Sequence, residues 1–595
     1  MSEHTFHIPV MGIGFTIDTP VRAAQYGISS VISLVDDILI EKMRNFYCEK
    51  MNISFKTIHK NDDDSRAKRI TSYLNLINRI VSEKFGELKK SPFEKGSEIV
   101  TYFEMLPEDS KLKQAYHRMV QAKDNETVQN LQDWLKKNLS VGSIDVNIMT
   151  KLDKAQYKGQ KKLPSKYNDG HTALRGFALS DLENCSVVLS AGLNPRLYTY
   201  MADFDDFYPD ENGFLKKKIT LKVSDYRSAL IQGKFLAKKG LWVSEYRVES
   251  GLNCGGHAFA TQGRLLGPIL ESFKENKNKL IHSNYTLFTK ALKNKNRPFL
   301  DQPPEMRITV QGGVGTGSEH DFLLSHYKVD SAGWGSPFLL VPEVTNVDPT
   351  TLELLQNAKK DDLYLSDISP LGVPFNNLKG NTKDVAKQEL IEKGKPGSAC
   401  PKGFVALSND MSSKPICLAS RLYQRLKIKE LEKKCLGKEE YKEIFQKVVE
   451  KSCICVGLGV SALLVNNLDT SVEGDGVSIC PGPNLAYFSK VLSLKDMVDH
   501  IYNKINVLTD SNRPNMFIKE LDMYADYLQK MIDKNLTPMK EKQVEYFSSF
   551  RKNLLEGIDY YKNLLSYMAE ESKSMKDRFI EDLKSFEEEL SCIEL

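Results

Sequence analysis

Several absences narrow the reading of this 595-residue chain before any motif does. No apolar run reaches the roughly 18 residues that a membrane-spanning helix requires. The opening stretch, MSEHTFHIPVMGIGF, has no basic segment followed by a long apolar one, so no secretory signal is expected and the cytoplasm is the expected location. Charge of one sign is scarce: 82 Lys and Arg stand against 78 Asp and Glu, a net +4. That balance gives no electrostatic case for nucleic acid, whose phosphates call for clustered cations. The local basic runs at 158–164 and 216–218 read as solvated loops. The ten cysteines include no C-x2-C pair, and the chain has no internal repeat. In a reducing compartment a disulfide framework is not expected, which leaves free thiols, metal ligands or catalytic thiols.

What is present is globular in composition, 41% hydrophobic and 27% charged. The length suggests two or three domains, although an α/β barrel can use roughly 250 residues as one unit. Strand-like runs alternate with helical patterns. They begin at HIPVMGIG (7–14) and ISSVISLVDD (28–37) and continue, after a gap, at SIDVNIMTKLD (143–153) and CSVVLSAGLNP (185–195). They go on through KKITLKVSD (217–225) and LWVSEYRVESG (241–251) to MRITVQGGVG (306–315) and VDSAGWGS (329–336). Eight such units predict a closed parallel (β/α)8 TIM barrel, an α/β fold. The competing doubly wound sheet calls for a G-x-G-x-x-G turn after its first strand. MGIGFTID has Gly12 and Gly14 and no glycine three residues on.

Three strands end in glycine. Residues 249–264, ESGLNCGGHAFATQGR, set Gly255, Gly256 and His257 after the sixth. Gly312, Gly313, Gly315 and Gly317 follow the seventh, and Gly333, Trp334, Gly335 and Ser336 the eighth. Phosphate binding needs backbone N–H groups that side chains would obstruct, and the loops after strands seven and eight are the usual phosphate site of a barrel.

The ordered set resembles the nitronate monooxygenase family and related FMN-dependent barrel enoyl reductases over about residues 7–385. IPVMGIGFTIDTP, ITLKVSDYRSAL, NCGGH, QGGVGTG, GWGSPFLL, VPEVTNVDPTTLELLQNA and LGVPFNNLKGN carry the likeness. The resemblance implies FMN, its phosphate on the turns at Gly312-Gly313 and Gly335-Ser336. The ring would lie near Gly12 and Lys222, with Gly14, Gly255, Gly256, Gly315 and Gly333 in the same set of turns. His257 would lie beside flavin and substrate, where the family's matching histidine transfers protons; a structural histidine is the plainer alternative. Cys254 replaces the family's small residue before Gly-Gly, and reads either as a proton donor or as a small buried apolar group. Pro337 stands where the family has a basic residue, which weakens the carry-over of phosphate contacts, and Trp334 is unusual in its turn.

The expected division is a barrel from 1–44 and 140–385, a helical insertion at 45–139, a loop-rich Cys-containing segment at 386–490 and a helical region at 491–595. Cys400, Cys417, Cys453, Cys455 and Cys480 are candidate metal ligands. Cys400, Cys417, Cys480 and one of Cys453 or Cys455 would suit a [4Fe–4S] cluster; zinc and separate buried thiols stay open. The expected function is an FMN-dependent oxidoreductase passing hydride or electrons to a small organic substrate from an unidentified donor, with a cluster as electron partner. A flavin-dependent RNA-base reductase and a non-catalytic barrel scaffold are the alternatives. Apolar stripes on the last helices suggest a homodimer, and no membrane or nucleic-acid partner is expected.

Overall fold

The computed structural model describes residues 3–510, 512–534, 540–567 and 573–593. Eight parallel strands form the sheet: β1 (Phe6–His7), β2 (Ser30–Ser33), β3 (Ile144–Ile148), β4 (Cys185–Leu189), β5 (Lys217–Val223), β6 (Val243–Glu249), β7 (Arg307–Gln311) and β8 (Ser331–Gly333). Each strand pairs with the next in the chain, and β8 pairs with β1. Ile8 bridges to Ser30 and its N–H reaches the Ser29 carbonyl at 2.9 Å, so β1 also meets β2 and the ring closes. Seven of the eight runs expected from sequence contain a strand of the barrel; the first, 7–14, shares only His7 with β1 and mostly forms the turn after it. Every residue of β2, β3 and β4 is buried, as strands covered on both faces must be.

Helices start where acidic or hydroxyl caps satisfy their first N–H groups. Asp36 caps Asp37–Lys50, Asp225 caps Tyr226–Ala237 and Thr316 caps Gly317–Ser325. Thr19 and Pro20 open a five-residue helix, as expected of those residue types. Between β2 and β3 run the helices Asp37–Lys50, Ser65–Lys90, Glu98–Met105, Lys111–Gln121 and Asn125–Asn138. The first of these runs through residue 44, because the Asp36 cap sets its start directly behind β2.

The segment from 386 to 490 carries more helix than its loop-rich look suggested: Arg421–Glu432, Lys438–Val449 and Ile454–Val465 lie within it. Ile454–Val465 is apolar all round and buried over its first ten residues, so it lacks the amphipathic period that marks a surface helix. Among the described residues no single helix is long and apolar enough to cross a membrane. The bent pair Lys438–Val449 and Ile454–Val465 meets the length and composition test together.

A hairpin of β9 (Leu363–Ser366) and β10 (Phe375–Leu378) lies against the barrel mouth. Met516–Asp533 and Glu541–Leu564 pack with the long helix Leu266–Asn294, and Lys573–Ser591 packs on both of them. Phe517, Tyr524, Phe550, Leu554 and Tyr561 are buried there.

At the N-terminal end of the barrel, Glu245 and Arg247 form a buried pair at 2.8 Å. Burial works against the Glu245 carboxylate, yet the surrounding Arg247 and Arg307 cations, with the His7 ring and the Thr309 hydroxyl, outweigh it and hold its pKa at about 2. A polar cavity of about 1570 Å³, open solvent at its mouths included, lies at this end. In barrel enzymes the chemistry is at the opposite, C-terminal face.

Candidate active site

At the C-terminal ends of the strands, the turns after β1, β6, β7 and β8 surround a cleft of about 790 Å³, open solvent at its mouth included. That is within the range of small-molecule and cofactor sites. Its polar floor is built from strand ends. Lys222 stands near the end of β5, Glu249 ends β6, and Gln311 ends β7 directly across the ladder from Glu249. Lys222 Nζ is 2.7 Å from Glu249 Oε1. Gln311 Nε2 donates to the same oxygen at 2.5 Å and to Cys254 Sγ at 3.7 Å. Asn253 lines this cleft, and its amide oxygen is buried with no hydrogen-bond partner among the described residues. A buried unsatisfied acceptor is costly unless a ligand or water meets it.

The turns are glycine because the backbone requires it. Gly313 has φ +89°, and a Cβ there would lie 2.2 Å from Asn253 Nδ2. Gly335 faces open space: a Cβ there would have a Pro9 carbon, 3.4 Å away, as its nearest neighbour. Gly12, Lys222, Cys254, Gly255, Gly256, Gly312, Gly313, Gly333, Gly335 and Ser336 all line the cleft. Gly14 and Gly315 do not. Gly14 is the contact point of the helix Ile454–Val465, where a Cβ would lie 2.8 Å from the Gly459 carbonyl oxygen. Gly315 is pressed against Asn484 and Arg513. Both glycines serve close packing behind the cleft.

The back of the β7 turn is held by residues from the far end of the chain. Arg513 donates to the Gly313 carbonyl at 2.7 Å, to Asn484 Oδ1 at 2.6 Å and to Glu319 Oε1 at 2.7 Å. Asn484 Nδ2 donates to the Val314 carbonyl at 2.7 Å, and Glu319 accepts from Gly315 N at 2.9 Å and Met516 N at 2.7 Å. Ile479, Cys480, Gly482 and Asn484 supply one wall of the cleft, and Gly482 N donates to Ser336 Oγ at 2.7 Å. Arg513, Asn484, Glu319, Ile479 and Gly482 were not picked out from sequence, and Cys480 was picked out only as a metal ligand. Glu249 and Gln311 were within reach of such reading as the polar last residues of barrel strands. Arg513 and Asn484 lie in loops with no pattern to mark them.

Cys254 is on the cleft wall. Burial and the Glu249 carboxylate push its thiol pKa up to about 12 against the pull of Lys222, so it stays protonated at neutral pH. His257 is not among the cleft-lining residues. Its backbone bridges to Phe375 of β10, its ring stands edge-on to the Phe375 ring with centroids 4.9 Å apart, and its Nε2 is 2.8 Å from Ser369 Oγ. Burial, with the Lys151 and Lys222 cations, lowers its pKa to about 4, so the imidazole is neutral. The same loop is stitched to β10 by Asn376, whose side chain donates to the Cys254 and Gly256 carbonyls at 2.8 and 3.1 Å.

The cysteine set divides differently from the expectation. Cys480 belongs to the cleft, near Cys254, and its backbone carbonyl accepts the Gly256 N–H at 3.1 Å. It is apart from the other four because the 479–484 segment crosses the barrel mouth. Cys400, Cys417, Cys453 and Cys455 gather elsewhere. Cys453 lies beside Cys400 and Cys455, and Cys417 lies near Cys400 and Cys453. Among the described residues, no three His, Cys, Asp or Glu side chains converge on a position for one metal ion.

No protein-family model matches the chain, and no curated protein does. Two solved structures are similar to it in part. FabK from Thermotoga maritima is 13% identical over 68% of this chain and 86% of its own, with a TM-score of 0.30. The enoyl reductase domain of MlnA, from the macrolactin biosynthesis cluster of Bacillus amyloliquefaciens, is 14% identical over 64% and 84%, with a TM-score of 0.32. At this level of superposition they add nothing to what the strand order already shows.

Proposed function

We propose that this chain is an FMN-dependent oxidoreductase that reduces an organic substrate. The observation that carries the flavin reading is the cleft itself. It is lined by glycine turns after β1, β6, β7 and β8, with the unpartnered Asn253 amide oxygen and the Lys222–Glu249 pair among its lining groups. The residues fit the group. Glycine N–H groups at 312–313 and 335–336 suit a phosphate, and the Asn253 amide suits the polar edge of a flavin ring. With Pro337 at the expected basic position, the phosphate would rest on backbone donors alone.

When bound, FMN supplies hydride or single-electron transfer. The chain's own residues position the reaction and handle the proton. Lys222, paired with Glu249, keeps a cation at the floor. Gln311 orients both Glu249 and Cys254. Cys254, protonated on the cleft wall, is the proton donor to a substrate carbon, a role that suits reduction. His257 fixes the loop through Ser369 and β10, and its neutral imidazole stands at the rim as an acceptor.

The decisive experiment is the ultraviolet-visible spectrum of protein purified anaerobically, with bound cofactor released and identified. Stoichiometric FMN with flavin bands near ~450 nm is the expected result. A colourless protein that takes up no FMN on reconstitution would overturn the reading and favour a binding scaffold.

A further inference from the structure

We propose that His7 is a positioning residue for Cys254: its Nε2–H donates to Gln311 Oε1 and so fixes the amide that holds the thiol. The bond stands on the geometry of the barrel; its part in proton donation rests on the flavin reading.

His7, Gly333, Gln311 and Glu249 form one row across neighbouring strands. His7 of β1 is level with Gly333 of β8, Gly333 with Gln311 of β7, and Gln311 with Glu249 of β6. Residues level with one another on paired strands point to the same face, here the barrel interior. His7 and Gln311 are two strand spacings apart, roughly 10 Å at the backbone. They meet only if the residue between them has no side chain, and that residue is Gly333. A Cβ there would lie 2.9 Å from His7 Nε2 and 2.8 Å from Gln311 Cβ, and no left-handed backbone accounts for the glycine. The His7 and Gln311 residues are 6% and 5% exposed. His7 Nε2 and Gln311 Oε1 are buried, and neither has a partner elsewhere among the described residues.

The neighbouring bonds decide which atom donates. Gln311 Nε2 donates to Glu249 Oε1 at 2.5 Å, because the flipped amide would set two acceptors in contact. The amide oxygen is therefore left for the His7 side. Burial first, and the Arg247 cation next, keep the imidazole neutral, so it carries a single N–H. The Ser331 hydroxyl, 3.2 Å from Nδ1, is the donor there and leaves the proton on Nε2, facing the amide oxygen.

The consequence falls on Cys254. Gln311 Nε2 gives one hydrogen to Glu249 and the other to Cys254 Sγ at 3.7 Å. Glu249 alone fixes the amide nitrogen but not the turn of the amide plane about it. A second point, at the oxygen, fixes the plane and keeps the other N–H on the sulfur. When the thiol gives its proton to a substrate carbon, the S–H electron pair stays on sulfur until solvent reprotonates it, and that N–H favours the thiolate. His7 and Ser331 line the N-terminal cavity and not the cleft, so His7 acts through Gln311 and touches no substrate.

The test reads tautomer and thiol separately. Nitrogen NMR of the full chain with isotope-labelled histidine should show Nε2 protonated and Nδ1 bare, the His7 signal being the one lost in His7→Gln. Iodoacetamide alkylation of Cys254 at fixed pH, followed by peptide mass spectrometry, should slow about threefold in His7→Leu, since the sulfur loses a donor that favours thiolate. His7→Gln, whose amide N–H reaches the place of the imidazole Nε2, should restore the parent rate. Mere loosening of the loop would do the opposite and speed alkylation; circular dichroism reports folding. A proton on Nδ1 of the parent, an unchanged or faster rate in folded His7→Leu, or a His7→Gln rate no better than that of His7→Leu would overturn the proposal. Where His7→Leu does not fold, the tautomer decides alone. The expected results in a chain that takes up no FMN would uphold the bond and remove the flavin reading instead.

Discussion

Replacing Arg513 by alanine tests how the cleft is held, because this side chain touches the back of the β7 turn and none of the cleft itself. Its guanidinium and the Glu319 carboxylate are 5% and 4% exposed and 2.7 Å apart. Breaking a buried ion pair by removing one partner costs ~3–5 kcal/mol, since the other charge is left buried. Glu319 would keep the N–H groups of Gly315 and Met516, which places the expected loss near the lower end, about 3 kcal/mol. For a unit of barrel size that lowers the thermal midpoint by roughly 6 °C. The Gly313 carbonyl and Asn484 lose their anchor at the same time, so the turn is less well ordered for FMN. If about half the loss falls on binding, the FMN Kd rises about tenfold. Arg513→Lys keeps the charge but not the planar three-way fork, and should fall between. Thermal unfolding of the apo chain and FMN titration by flavin fluorescence measure the two effects. A variant that unfolds within ~0.5 kcal/mol of the parent and binds FMN equally well would refute the idea that the C-terminal region holds the turn.

Gly313→Ala should cost about 1–3 kcal/mol and weaken FMN binding, through its positive φ and the Asn253 amide 2.2 Å from the new methyl; equal flavin retention would count against the turn as a cradle. Cys254→Ser should leave flavin content and flavin reduction unchanged while slowing substrate reduction by 10²-fold or more, read as a fall in kcat without a matching rise in KM; an unchanged kcat would remove Cys254 from the chemistry. The Glu520 carboxyl, bonded to Ser250 Oγ at 2.5 Å and Leu266 N at 2.8 Å, is raised by burial to about 7 from an ordinary 4.5. The folded chain therefore holds this proton more tightly than the unfolded one. Its contribution is complete below about pH 4.5 and is lost as pH rises through about 7, worth about 3 kcal/mol by linkage. Glu520→Gln should flatten the thermal midpoint between pH 5 and 8 and raise it at pH 8; an unchanged pH profile would show that Glu520 is ionised without cost.

The barrel was legible because each strand is a short apolar run ending in a turn residue, and parallel closure follows from strand–helix alternation. The cleft glycines were legible for the same reason: Gly312, Gly313 and Gly335 sit at strand ends, where a barrel places its ligands. Gly14 and Gly315 show the limit of that argument. A glycine at a strand end serves equally well to admit a ligand or a packed backbone, and only the partner across the gap, Gly459 or Arg513, tells which. The cysteines show another limit. Cys480 is followed by proline, as Cys400 is, yet the two sulfurs have different neighbours, since spacing along a chain does not encode which loops meet. The helix Ile454–Val465 went unread because burial on every face removes the period by which a helix is recognised.

The distribution of contacts explains why this chain carries some two hundred residues beyond its barrel. A barrel mouth built only from strand-end loops needs those loops to hold their own shape. Here they do not. The β7 turn is pinned by Arg513 and Asn484, the β8 turn by Gly482 on Ser336, the β6 loop by Asn376 of β10, and the β1 turn by Leu458. Four glycine-containing turns are thus tied to later segments, two of them to the one stretch 479–484, and those segments also carry Cys453 and Cys455 at one end of a buried helix and Cys480 on the cleft wall. A change that loosens these later segments therefore disturbs the cleft without touching it. Weakened FMN binding in Gly459→Leu, which would press on Leu39 and on Ile13 of the β1 turn from the Ile454–Val465 helix, is the outcome that this support requires, and flavin titration of the folded variant measures it.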